Sequence, residues 1–231
     1  MKIGVINFSG NVGKTTVSRH LLAPRMNNAK ILAIESINSD GSTEEAMRGK
    51  QFGELQTILQ LTDDVVVDIG ASNVEDFIKA MTQYKGSQED FDYFVVPVVP
   101  ATKQQRDTIS TIEALASLRV PAKKIRLLFN NVELGDSVET VFSGLFEYQK
   151  AESKFTIRPE AVLHANDIYP KFASSSATIA QILADTTDYK EKIKTSTDPA
   201  EKLKYSQLIG LKRLAAGVTD ELDAVFKTLL K

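Results

Sequence analysis

The chain contains no cysteine and only two histidines, His20 and His164. Without cysteine there is no disulfide, no thiolate metal site and no cysteine nucleophile, and the reducing cytosol is the natural setting, so a cytoplasmic location is expected. Two histidines give a histidine metal site or a histidine-relay hydrolase almost nothing to work with. A dominant charge sign is missing too: 28 Lys and Arg stand against 30 Asp and Glu, for a net charge of −2. No global field therefore favours nucleic acid, and any such contact must be local. No apolar run reaches the roughly 20 residues of a spanning helix. The opening Met1-Lys2-Ile3-Gly4-Val5-Ile6-Asn7 reads as a strand, too short and too soon interrupted for a signal peptide. What is present is an ordinary globular balance, 231 residues with 42% apolar and 25% charged, which excludes disorder and fibrous architectures. A chain of this size buries a core without staples.

Short continuous apolar runs recur at residues 3–6, 31–34, 65–67, 94–99 and 125–129. Continuous rather than alternating apolar character predicts strands covered on both faces. Between them lie helical spacings, such as Phe52, Leu55, Ile58 and Leu59, or Ile109, Ile112 and Leu115. The alternation predicts an α/β doubly wound, mostly parallel sheet flanked by helices. Pro97 inside the fourth run predicts that this strand stops there. Residues 138–146 predict a helix, 161–164 a last short strand, and Ile168-Tyr169-Pro170 a closing turn. From about residue 175 a helical C-terminal extension is expected, broken near 195–199, where Ser, Thr, Asp and Pro cluster. The whole of 1–231 is read as a single domain.

The strongest local signal is Ser9-Gly10-Asn11-Val12-Gly13-Lys14-Thr15-Thr16, placed directly after the first apolar run and before a helical segment. Backbone amides in such a loop, and at the helix start behind it, point at an anion. Lys14 would reach the β- and γ-phosphates, the Thr15 hydroxyl would ligate Mg²⁺, and Thr16 would add a contact to the α-phosphate. The plain Walker pattern is not met, because Phe8 sits where its first glycine belongs. The reduced pattern GxxGK[ST] arises by chance in roughly one chain in a hundred of this length. Its position after the first strand makes a P-loop NTPase the reading, with ATP or ADP and Mg²⁺ as ligands.

These residues resemble the deviant Walker motif of the ParA/MinD ATPases, usually KGGxGKTT. Within that family the opening from Val5 to Thr15, followed by Leu21-Leu22-Ala23-Pro24-Arg25, is most similar to the plasmid StbB-type proteins of stability, positioning and conjugative transfer. Two positions depart from the motif. The family's signature lysine, which crosses to a partner's nucleotide, is Ser9 here, and its second glycine is Asn11. A cation at the transition-state charge is worth several kcal/mol, so slow hydrolysis is expected. Arg25, Lys103 and Arg106 are the cations that would have to substitute.

Other site parts follow from the same reading. Val65-Val66-Val67-Asp68 has the Walker B form, with Asp68 holding Mg²⁺ at a strand end. The resemblance makes residues 68–72 a second switch, with Gly70 letting an amide swing toward the γ-phosphate. It sets the first switch at Ile34 to Gly41, an imperfect match in which Asp40 orients water or Mg²⁺; Asp40-Gly41 is equally a turn signal. It further implies that Asn130, with Asn131 as fallback, reads the adenine edge, whereas a strand-to-loop turn is the alternative. His20 and His164 are expected to be structural.

Between Lys190 and Arg213 lie seven basic residues against Glu191, Asp198 and Glu201. They form either a solvated helical face or a local patch for weak non-specific DNA binding. Tyr189 and Tyr205 read as isolated, which argues against single-strand stacking. The last helix is amphipathic, but Asp220, Glu221 and Asp223 on its polar face argue against a membrane role. The resulting expectation is a weak ATPase acting as a nucleotide switch, a possible homodimer with a plasmid-encoded partner. The alternatives are a degenerate ATPase serving as adaptor or DNA-binding protein, and an ATP-dependent small-molecule ligase or kinase.

Overall fold

The structure, a computed structural model, describes residues 1–34, 44–172 and 177–231, with backbone alone over 44–50. Six strands form one parallel sheet in the order β2-β3-β1-β4-β5-β6. They are β1 (Lys2–Val5), β2 (Lys30–Ile34), β3 (Val65–Ile69), β4 (Tyr93–Val98), β5 (Ile125–Val132) and β6 (Val162–His164). The continuous apolar runs are these strands. Every residue of β3 is buried, as a strand covered on both faces requires. β2 lies at an edge and is only partly buried, with Lys30 exposed.

Helices connect the strands and cover the sheet. The helix Val74–Gln83 turns Val74, Phe77, Ala80 and Met81 inward and carries Glu75 and Asp76 in its first turn, where the helix dipole favours acid. Helix Thr102–Ser117 buries Thr108, Thr111, Ile112 and Leu115. Phe52, Phe77, Phe91 and Phe94 run through the core with ring centroids 4.7–6.3 Å apart. Gly4 in β1 is required by this packing, because a Cβ there would lie 2.9 Å from the Phe94 ring.

Two expectations are corrected. β4 does not stop at Pro97; it continues through it to Val98, and Pro97 pairs with Leu128. The Val95 carbonyl faces β1, where it accepts the Ile6 N–H at 3.1 Å. Pro97, two residues on, faces the same side, but β1 has already ended at Val5. No ladder donor is therefore lost, and the Pro97 carbonyl instead accepts the Asn7 side-chain amide at 2.9 Å. The other correction is Ile168–Phe172, a short helix rather than a turn, with Pro170 in its first turn, where a missing N–H costs nothing. The expected helix over 138–146 is present as two, Val138–Val141 and Ser143–Glu152, separated by buried Phe142.

The chain packs as two compact units, Met1–Ala165 with Val225–Lys231, and Asn166–Ala224. The first contains the sheet. There the end of the terminal helix Pro199–Leu229 returns to it, and the Tyr93 hydroxyl donates to the Leu230 carbonyl at 3.3 Å. The second contains short helices and most of that long helix. Its helix Ile179–Ala184 starts with a capping box between Thr178 and Gln181, and Asp188 caps Tyr189–Thr195. The break expected near 195–199 separates Tyr189–Thr195 from Pro199–Leu229.

Candidate functional site: the loop after the first strand

The connection leaving β1 runs to the β2 side, and that leaving β4 runs to the β5 side. The carboxyl ends of these adjacent strands therefore form a switch point, where parallel sheets leave a crevice. Residues 9–16 occupy that crevice. Behind them the chain is helical from Lys14 to Arg25, with a π segment at Val17–Leu22.

Gly13 opens the helix at φ 85°, and a Cβ there would lie 2.2 Å from the Asn130 side-chain nitrogen. Only glycine accommodates both the left-handed backbone and that approach. Val12 is fully buried beneath, while Gly10 and Asn11 are exposed, Asn11 at φ 57°. Asparagine tolerates that conformation better than most residues, which lets it stand in place of a glycine.

Lys14 is 8% exposed, and its ammonium donates to the carbonyls of Asn7 at 3.1 Å and Ser9 at 2.7 Å. Burial pushes its pKa below the usual lysine value, partly opposed by the nearby Asp68 carboxylate. Thr15 and Asp68 meet directly, the hydroxyl donating to Oδ2 at 2.7 Å. So Lys14, Thr15 and Asp68 are brought together by β1, the loop and the end of β3. Thr16 lies one residue further along the same turn, half-buried.

Asn130 and Asn131 separate. The Asn130 amide donates to the Val12 carbonyl at 2.9 Å and so ties the end of β5 to the loop. Asn131 is exposed, at φ 55°, and is the extra residue of a bulge between β5 and β6. Gly70 donates its N–H to the Ile34 carbonyl at 3.0 Å, which the Asn73 amide also reaches at 3.2 Å. Asp40, with Glu35 and Ile37, lies outside the described residues.

Ser9, at the position of the expected cation, is 3% exposed and donates its hydroxyl to the Asp107 carboxylate. Its N–H binds the Asn7 side-chain oxygen at 2.8 Å. Asn7 in turn donates to Thr108 Oγ1 at 2.8 Å, and Phe8 N–H donates to Thr111 Oγ1 at 3.0 Å. The first half of the loop is thus latched to helix Thr102–Ser117 by Asp107, Thr108 and Thr111, which sequence reasoning missed. A signal for two of them exists: Thr108 and Thr111 share the core-facing stripe with Ile112 and Leu115.

The candidate substitute cations are otherwise engaged or exposed. Arg25 donates to the His20 carbonyl at 2.9 Å, and Lys103 and Arg106 are exposed on helix Thr102–Ser117. His20 is buried in the π segment, and burial, with Arg19 adding to it, lowers its pKa to about 4.

In the second unit Tyr189 and Tyr205 are not isolated. Their rings stack with centroids 5.8 Å apart, Lys192 lies over Tyr205 and Lys212 over Tyr189. Lys212 also donates to the Asp185 carbonyl. Lys190, Lys192, Lys194, Lys202, Lys204 and Arg213 are exposed. Among the described residues, no helix is long and apolar enough to cross a membrane.

The sequence matches no protein-family model and no curated protein. Solved structures do match. Apo McdA from Cyanothece is 15% identical with a TM-score of 0.53, over 96% of this chain and 98% of that one. The pNOB8 ParA is 13% identical with a TM-score of 0.54, over 98% and 97%. At such identities the likeness is one of fold: this chain shares the fold of the McdA and pNOB8 ParA structures.

Proposed function

We propose that the chain is an ATP-binding, slowly hydrolysing nucleotide switch that acts in plasmid stability, positioning or conjugative transfer. The observation that carries this reading is the 2.7 Å contact between Thr15 and Asp68 beside the buried Lys14 ammonium. A hydroxyl and a carboxylate at the mouth of a phosphate loop are the hard oxygen donors Mg²⁺ takes, with nucleotide oxygens and water completing its shell. Bound Mg²⁺ would neutralise charge on the β- and γ-phosphates.

The chain's own residues supply the rest. Amides of Gly10, Asn11, Val12, Gly13, Lys14, Thr15 and Thr16 cradle the phosphates. The Lys14 ammonium exchanges loop carbonyls for phosphate oxygens. Asn130 holds the loop through Val12, and the resemblance assigns the adenine edge to it or to Asn131. Asp40 enters on the resemblance alone, as the residue that orients water or Mg²⁺.

Turnover is expected to be slow because Ser9 supplies no cation and its hydroxyl is committed to Asp107. Phosphate release should run at about one turnover per minute or less, and rise with DNA or a plasmid-encoded partner. Many turnovers per second without either would refute the switch. The Ser9–Asp107 contact also favours a second reading, an adaptor that binds nucleotide without hydrolysis. Tight ATP binding with no release under any addition would select it. A homodimer is proposed with the switch, and sedimentation with and without ATP tests it.

A further inference from the structure

The sheet has a second polar depression, at its opposite end. All six strands are parallel, so the amino ends of β4 and β5 lie away from the phosphate loop. There, a depression of about 860 Å³ within the first unit is lined by Tyr93, Arg126, Arg158, Lys123 and Lys231. Asp92 is the one acidic side chain in that lining, and its carboxylate accepts the Lys2 N–H at 2.7 Å.

Arg126 is the unusual residue. It is the second residue of β5 and only 6% exposed. Its Nε has no hydrogen-bond partner, and neither has the Nε of Arg158. No carboxylate among the described residues comes within ion-pair distance of either guanidinium. Arg126 instead lies over the Tyr93 ring, 5.0 Å from its centroid. That contact uses the face of the guanidinium and leaves its in-plane donors unspent. A buried guanidinium nitrogen without a hydrogen-bond partner is costly for a fold to retain. Arg126 and the half-buried Arg158 in one lining, with Lys123 and Lys231 exposed at the rim, match an oxyanion that accepts bidentate hydrogen bonds.

We propose that this depression is a phosphate-binding site, separate from the loop of residues 9–16, in which Arg126 and Arg158 hold one phosphate group and Lys123 and Lys231 attract it. The phosphate belongs either to a small phosphorylated molecule or to a nucleic-acid backbone.

Calorimetry with inorganic pyrophosphate at low salt tests it, in a Lys14→Ala chain whose phosphate loop is silenced. One molecule per chain should bind, and adding Arg126→Gln with Arg158→Gln should weaken it about tenfold or more. Loss of all binding on Lys14→Ala alone, or unchanged affinity after both arginine changes, would overturn the proposal. Melting of Arg126→Met guards against a folding artefact. Without anion it should melt no lower than the unmodified chain, since it removes a buried nitrogen without a hydrogen-bond partner, and pyrophosphate should no longer raise its Tm. A lower Tm with the pyrophosphate effect intact would make Arg126 purely structural and overturn the assignment. Displacement of pyrophosphate by a short duplex DNA assigns the phosphate to nucleic acid; retention against DNA assigns it to a small molecule.

Discussion

The Ser9 hydroxyl donates a hydrogen bond to the Asp107 carboxylate, at the position where the motif that the loop resembles carries a lysine. This contact ties the loop to helix Thr102–Ser117. A hydrogen bond to a charged acceptor contributes roughly 1.5–3 kcal/mol, and here it leaves no buried hydroxyl unpaired. Asp107→Ala should therefore destabilise the chain by about 1–3 kcal/mol, and Asp107→Asn by less. In a double-mutant cycle with Ser9→Ala, urea unfolding should show coupling of at least about 0.5 kcal/mol. Additive effects would show that the latch contributes nothing.

Gly13→Ala should be more damaging than an ordinary loop substitution. Its Cβ would meet Asn130, and φ 85° is strained for any side chain. The strain alone is about 1–3 kcal/mol. In an Asn130→Ala background the added cost should shrink to that strain. Equal losses in both backgrounds would mean that the Asn130 contact is not limiting.

His20 gives the fold an acid sensitivity. Its folded-state pKa of about 4 lies below the ordinary value of 6.5, so the unfolded chain binds the proton more tightly. The contribution is complete above about pH 6.5 and is lost as pH falls toward 4. The loss at pH 4 should be on the order of 2–3 kcal/mol. His20→Gln should flatten that part of the stability curve, read by urea midpoints. An unchanged slope would assign the acid response to other groups.

The exposed lysines of the second unit should contact DNA weakly. Few phosphate contacts imply micromolar or weaker binding that falls steeply with salt. Replacing Lys192, Lys194, Lys202 and Lys204 together by glutamine should remove DNA retention at low salt and leave ATP binding intact. Equal retention by both proteins would reduce the patch to a solvated face and favour recruitment through a partner.

How far the sequence reached depends on the range of each interaction. The strands were legible because residues 65–67 or 127–129 are apolar without alternation, as a strand covered on both faces requires. The loop was legible because Gly13, Lys14 and Thr15 are consecutive. Pro97 misled, because whether a missing N–H matters depends on which neighbour it faces. The Ile168–Phe172 helix was hidden because proline is as compatible with a first helical turn as with a loop. Asp107, Thr108 and Thr111 were hidden by distance, since their partners lie about a hundred positions earlier in the chain. Arg126 was hidden inside an apolar run. A charge there reads as a strand end until its burial and missing partner are known.

Residues 10–16 with Asp68 are proposed as the nucleotide site. Calorimetric titration of Mg-ATP and Mg-ADP into the chain and its Lys14→Ala variant tests it most directly. One nucleotide per chain should bind, and at least about a hundredfold more weakly in the variant, since a charge-assisted phosphate contact is among the strongest available. Equal ATP affinity in the two proteins, with both folded, would contradict it.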